Sequence, residues 1–160
     1  MEIRTATMDD LNIIAQVEAE CFPPKEAATA EKFAGRLRHY AEHFWLLFND
    51  DKLIGFADGM VIDAPDLADI MYADATLHNE QGAWQMIFGL NTLPQYRRQG
   101  YAGLLIERVL TDARAQKRKG VVLTCKEALL HYYAKFGFIN EGVSSSTHGD
   151  VVWYQMRVTF

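Results

Sequence analysis

Residues Arg97-Arg98-Gln99-Gly100-Tyr101-Ala102-Gly103 stand directly before a run in which Ala102, Leu105, Ile106, Val109, Leu110 and Ala113 recur at helical spacing. Small residues therefore fall where a loop becomes a helix N-terminus. There the first main-chain N–H groups lack partners within the helix, and the macrodipole is positive. With no branched side chains in the way, an anion can approach the main chain closely. Arg97 and Arg98 add fixed positive charge beside the turn. The chemistry this suits is the binding of a pyrophosphate. Two familiar phosphate motifs are excluded: no Gly-Lys-Ser/Thr ends the turn, as a P-loop requires, and no third glycine stands in dinucleotide-fold spacing.

Several elements must hold this turn. Glu2 to Ala6 alternates like a strand. Thr7 predicts a helix N-cap, with Asp10 three residues on and Leu11, Ile14, Val17 and Cys21 as the apolar face. Phe22-Pro23-Pro24 stops that helix, because proline has no N–H to continue the ladder. Thr29 predicts a second N-cap, with Phe33, Leu37 and Tyr40 on one side of a helix to about His39. Phe44 to Phe48 and Leu53 to Val61 predict a hairpin around Asn49-Asp50-Asp51-Lys52. Ile62 to Gln81 has no clear period and reads as an acidic loop with one helical turn. Trp84 to Thr92 predicts a strand that Pro94 closes. The long helix after the glycine turn ends in Arg114, Lys117, Arg118 and Lys119, with Gly120 beyond it. Val121 to Cys125 predicts a buried strand, and Glu127 to Lys135 a short helix with Leu130 and Tyr133 or Ala134 inward. Phe138 to Gly142 and Val151 to Val158 read as two last strands. The order β-α-α-β-β-β-α-β-α-β-β predicts a mixed α/β fold, one domain over residues 1–160.

Composition sets further bounds. A chain of 160 residues can bury roughly two-thirds of its unfolded surface. Its net charge of −5 speaks against general nucleic-acid binding and weakly favours cationic substrates such as amines. The longest apolar runs are too short to cross a bilayer, and Met1-Glu2-Ile3-Arg4 has no signal-peptide pattern, so a cytoplasmic protein without membrane or nucleic-acid partners is expected. Cys21 and Cys125 lie far apart and suggest neither a disulfide framework nor a metal knuckle.

Three stretches together resemble the GCN5-related N-acetyltransferase (GNAT) family, and its arylalkylamine (serotonin) N-acetyltransferase branch in particular. They are Glu18 to Pro24 with its Phe-Pro step, the turn Arg97 to Gly103, and Leu123-Thr124-Cys125-Lys126-Glu127-Ala128-Leu129 running on to Tyr133-Ala134-Lys135-Phe136-Gly137-Phe138. The spacing Arg97-x-x-Gly100-x-Ala102 fits that family's acyl-CoA signature, Arg/Gln-x-x-Gly-x-Gly/Ala. The resemblance covers nearly the whole chain. It implies the GNAT fold, a central, mostly antiparallel mixed sheet flanked by helices. It also implies acetyl-CoA as cosubstrate. By resemblance the main chain of Leu90, Asn91 and Thr92 takes the pantetheine arm, with one N–H polarising the thioester carbonyl. Arg98, Gln99, Gly100, Tyr101, Ala102 and Gly103 hold the pyrophosphate with Arg97 alongside, and Thr124, Tyr133, Ala134 and Lys135 line the far side.

The implied reaction is direct attack of a primary amine on the thioester in a ternary complex. A lysine-like amine titrates about 3.4 units above neutrality, so deprotonating it costs roughly 4.6 kcal/mol. That makes a base or desolvation useful. Tyr133 is the candidate general acid for the leaving thiolate, while its neighbour Tyr132 points elsewhere on the helix. Where the nearest relatives place two strand histidines, this chain has Met86 and Phe88, which carry no proton. His78 is the first candidate base because its ordinary pKa suits the task; Glu80, Glu18, Glu20 and water remain alternatives. Trp84, Met86, Phe88 and the loop Phe22, Pro23 and Pro24 are expected to shape an apolar slot for a small arylalkyl amine. A protein or peptide acceptor and a non-catalytic acyl-CoA-binding module are the competing readings. The resemblance allows a monomer or a homodimer.

Overall fold

Thr7 opens the first helical segment as its spacing predicts. Its hydroxyl accepts the Asp9 N–H at 3.3 Å, and Asp10 Oδ2 accepts the Thr7 N–H at 2.9 Å, which completes a capping box. Arg4 clasps the same Asp10 carboxylate at 2.8 Å and holds it below its ordinary range. Thr29 likewise accepts the Lys32 N–H at 3.3 Å and starts the second helix.

The computed structural model describes residues 1–160, which fall into two units. The first comprises Met1–Gly59 and Gly89–Val109. In it β1 (Glu2–Thr5), β2 (Phe44–Asn49), β3 (Lys52–Asp58) and β6 (Gly89–Thr92) form an antiparallel sheet in the order β1-β2-β3-β6. Helices α1 (Leu11–Cys21) and α2 (Ala30–Tyr40) belong to this unit, as does the first part of α4 (Tyr101–Ala115). Both β2 and β3 are buried along nearly their whole length, which explains why their sequences run apolar rather than alternating. Phe33, Phe44 and Phe56 meet with centroids 5.8–6.4 Å apart and make the aromatic centre of this core.

The second unit comprises Met60–Phe88 and Leu110–Phe160. Here β4 (Val61–Ile62), β5 (Trp84–Ile87), β7 (Gly120–Cys125), β9 (Tyr154–Thr159) and β8 (Ile139–Val143) lie in the order β4-β5-β7-β9-β8. The pair β5–β7 is parallel and the others antiparallel. Helices α3 (Asp69–Ala73) and α5 (Leu130–Ala134) are short. Val121, Val122, Leu123, Met86, Phe138 and Met156 are among its buried side chains. No helix is long and apolar enough to cross a membrane.

The mixed α/β class stands, with two sheets where one central sheet was expected. Both differences in the strand list arise where the chain changes sheet. The predicted strand Leu53–Val61 divides at Gly59-Met60 into β3 and β4, and the predicted strand Trp84–Thr92 divides at Phe88 into β5 and β6. Hydropathy cannot show such a division, because both halves are apolar. The acidic stretch from Ile62 to Gln81 holds α3 and a further tight turn at Ala75–Leu77. Glu127–Lys135 is a tight turn followed by α5. Gly120 does not cap α4: Lys117 takes the left-handed conformation (φ 63°) instead, and Gly120 opens β7.

Candidate active site

Strand β6 lies at the edge of its sheet, paired on one side with β3. The Leu93 N–H donates to the Ile54 carbonyl at 2.8 Å. Antiparallel pairing alternates every second residue, so the main-chain groups of Asn91 face β3 and those of Leu90 and Thr92 face away. An extended chain of amides could therefore add along the Leu90–Thr92 edge. The Thr92 hydroxyl is buried and has no hydrogen-bond partner, an orphan polar atom on this same strand.

Arg97 follows directly and does not behave as expected. Its Nε donates to the Thr92 carbonyl at 3.0 Å and its Nη2 to the Cys21 carbonyl at 3.3 Å. Those bonds tie the end of β6 to the end of α1, so Arg97 acts as a strut more than as a free cation. Arg98 and Gly100 both take positive φ (63° and 87°), the second in the range glycine favours. Nothing lies within 4 Å of the place a β-carbon on Gly100 would occupy. The turn is thus an open cradle whose floor is the N-terminus of α4, where the Leu104 N–H to Gly100 carbonyl bond (3.2 Å) is the first to close. The amides of Tyr101, Ala102 and Gly103 precede it and have no helical acceptor. Gln99 bonds the Gln95 carbonyl at 3.4 Å. Open cradle, free strand edge and orphan hydroxyl suit a long group with amides at one end and a diphosphate at the other.

Behind β6 lies a buried acid cluster, of which the sequence reading names Glu18 as an alternative base but neither Asp58 nor Arg36. Glu18 on α1 accepts the Ala28 N–H at 2.9 Å and the Asn91 Nδ2 at 3.2 Å. Asn91 Oδ1 in turn accepts the Phe56 N–H at 3.1 Å, which fixes the amide with its NH2 toward Glu18. The Pro23 carbonyl accepts the N–H groups of Glu26 and Ala27, folding the proline loop so that Ala28 presents its amide. Asp58, wholly buried at the end of β3, pairs with Arg36 at 3.1 Å. Burial pushes Glu18 up to about 7 and Asp58 up to about 6. One signal was available: Arg36 falls on the apolar stripe of Phe33, Leu37 and Tyr40, and a charge there needs a buried partner.

In the second unit, Tyr133 is buried on α5, and burial, with Cys125 and Tyr132 beside it, pushes its hydroxyl far above the ordinary phenol range. Ala134 and Lys135 are exposed. Thr124 exchanges a hydrogen bond with the Tyr72 hydroxyl at 3.2 Å. The Tyr72 ring lies 4.7 Å from that of Phe88 and stacks on His148 at 5.5 Å, with Trp153 beyond. Asp69 anchors the same loop through the Ser146 hydroxyl (2.5 Å) and the Thr147 N–H (3.0 Å).

Three expected residues take other work. Both ring nitrogens of His78 are engaged: Nδ1 accepts the Val61 N–H at 3.0 Å, and Nε2 lies 2.9 Å from Glu80, which also pairs with Arg118. An Nδ1 that accepts leaves the proton on Nε2, so the ring has no lone pair for a substrate proton. Met86 is fully buried and belongs to the core. Trp84 pairs with Gly120 at the start of β5 and packs beneath the Arg157 guanidinium, 4.6 Å from its ring. Phe22, Pro23 and Pro24 follow α1 as expected, and Phe88 stands beside Tyr72.

The sequence profile of the Acetyltransferase (GNAT) family matches residues 11–138. This chain belongs to that family. The acetyltransferase is also similar to a serotonin N-acetyltransferase from Mesocricetus auratus, 26% identical over 161 residues that cover 98% of this chain and 76% of the relative. Among solved structures it resembles GphF, a GNAT-like decarboxylase in complex with isobutyryl-CoA, with TM-score 0.86, 21% identity and 99% of both chains covered. It also resembles the loading GNATL domain of CurA from Lyngbya majuscula, with TM-score 0.85, 18% identity, and 99% and 96% of the two chains covered. These likenesses establish the GNAT fold, and the family makes the acetyltransferase an acyltransferase with acetyl-CoA as its cosubstrate.

Proposed function

We propose that residues 1–160 form one N-acetyltransferase domain that transfers the acetyl group of acetyl-CoA to a small primary arylalkyl amine. The observation that carries the donor half is the free Leu90–Thr92 edge running into the open Gly100 turn. The main-chain groups of Leu90 and the N–H of Thr92, whose carbonyl Arg97 and Cys21 already engage, would hydrogen-bond the pantetheine amides, and the amides from Arg98 to Gly103 would hold the pyrophosphate. Bound there, acetyl-CoA supplies an activated acetyl thioester. The Leu90 N–H faces outward and is the proposed oxyanion donor. Tyr133, like any phenol, is protonated at neutral pH, and burial makes it a still weaker acid. Its assignment to the leaving thiolate rests on the resemblance of the Tyr133–Phe138 stretch to the family, and the role proposed for it is hydrogen-bond donation, a weaker service than full proton donation.

Aromatic rather than peptidic character of the acceptor is supported by the cluster of aromatic rings formed by Phe88, Tyr72, His148 and Trp153. Phe22, Pro23 and Pro24 are proposed, on the resemblance alone, as substrate-binding residues. Incubation with acetyl-CoA and a panel of arylalkyl amines, alkyl amines and peptides, reading thiol release and product mass, tests the reading. Acetylation of 2-phenylethylamine or a related amine is expected. Turnover confined to peptides, or cofactor binding without release of CoA by any acceptor, refutes it.

A further inference from the structure

The two buried carboxylates of the first unit are not equivalent. Asp58 has a cation: Arg36 lies 3.1 Å away, and both side chains are almost wholly buried. Glu18 is nearly as enclosed, but its hydrogen-bond donors are neutral, the Ala28 N–H and the Asn91 amide, and Arg36 acts on it only through its field. A carboxylate held by two neutral donors keeps more affinity for protons than one in direct contact with a guanidinium.

Position adds to chemistry. A β-carbon on Gly89 would lie 2.9 Å from Asp58 Oδ1 and 3.9 Å from Glu18 Oε1. The first residue of β6 thus faces these acids with no side chain between, and a larger residue would collide with Asp58. A pantetheine arm that runs back along β6 from Thr92 toward Gly89 brings its thioester to that end of the strand. We propose that the Glu18 carboxylate is the base that accepts the proton of the acceptor ammonium, with Asn91 as its positioning residue. This assignment rests on the acetyltransferase reading above.

The step balances. Glu18 takes one proton from the ammonium, leaving a neutral amine. Nitrogen forms the C–N bond with the acetyl carbon as the C–S bond breaks, and a second N–H proton ends on the departing sulfur. Glu18 then returns its proton to solvent. Groups facing Glu18 are Asp58 from β3, Arg36 from α2, Asn91 from β6 and, on its own helix, the Cys21 thiol. Burial outweighs them and places its titration near 7, where a base for an amine is useful.

The test is Glu18→Gln assayed with 2-phenylethylamine and its β-fluorinated analogues, whose ammonium groups are progressively more acidic. A lost base matters most for the most basic amine. At neutral pH a fall in kcat of ~100- to 10,000-fold is expected for the parent amine. The deficit should shrink steadily along the series while the acetyl-CoA Kd from calorimetry stays within about twofold. The wild-type kcat/KM profile should lose its limb near pH 7 in the variant, and carbon-detected NMR of the wild-type Glu18 carboxyl should titrate at the same pH. A deficit equal for all amines, a limb that persists, or a carboxyl that titrates below pH 5 overturns the role of Glu18 alone. A wild-type protein that acetylates no amine overturns the acetyltransferase reading itself. If Glu18→Gln does not fold, Glu18→Asp serves, with the limb retained and kcat reduced; a limb lost in that variant counts against the proposal.

Discussion

Thr92→Val should raise stability and weaken cofactor binding at once. Thr92 is 7% exposed, and its hydroxyl oxygen is sealed off without a hydrogen-bond partner. Such a group costs about 1–3 kcal/mol relative to one that is satisfied or absent. Valine replaces the hydroxyl with a methyl of similar size and keeps the branched β-carbon that suits a strand. The apo protein is therefore expected to gain about 1–3 kcal/mol, a rise in Tm of roughly 2–10 °C for a chain of this length. With the cofactor proposed along β6, the same hydroxyl bonds the pantetheine arm. Losing a neutral hydrogen bond worth about 0.5–1.5 kcal/mol weakens acetyl-CoA by roughly 2- to 10-fold. Scanning calorimetry of the apo protein and titration calorimetry with acetyl-CoA read the two effects separately. A Tm that falls or does not move refutes the orphan-hydroxyl argument. A raised Tm with unchanged affinity removes Thr92 from the cofactor site.

Other perturbations bear on the acids and on Tyr133. Glu18 and Asp58 both titrate higher folded than unfolded, so the native state holds protons that the unfolded chain has released; their stabilisation is complete below about pH 4 and is lost as pH rises toward 7. For Glu18 the loss is on the order of 3 kcal/mol, so urea melts of wild type and Glu18→Gln should shift by that much in the variant's favour between pH 4.5 and pH 8, and a difference independent of pH contradicts the burial argument. Arg36→Met strands the buried Asp58 carboxylate and should cost about 3–5 kcal/mol at pH 8 and less at pH 5, where Asp58 can take a proton; equal cost at both values in denaturant melts speaks against the pair. Tyr133→Phe should lower kcat with little change in acetyl-CoA Kd, and unchanged turnover in the thiol-release assay removes its donor role.

Local grammar was readable and long-range pairing was not. Thr7 with Asp10, and Thr29 before Ala30, announce their helices because every partner lies within four residues. The glycine turn at Gly100 is legible for the same reason. Glu18 meets Asn91 across 73 positions and Arg36 meets Asp58 across 22, so sequence spacing could not join them. The same holds for His78, whose ring accepts the Val61 N–H from 17 residues away. Phe88 marks a change of sheet that two apolar halves conceal. Tyr72 stood in a stretch without period, yet it contacts both Phe88 and Thr124.

The Arg97 strut gives a reason for an oddity in the family signature, which accepts arginine or glutamine at its first position. Those side chains differ in charge, and a site selected for pulling on phosphate would not treat them alike. They share a planar N–H at the ε position, and the Thr92 carbonyl accepts from that nitrogen of Arg97 here. The tolerance then reflects a joint between two backbone segments, and lysine, which keeps the charge but lacks the planar donor, would be the poorer replacement.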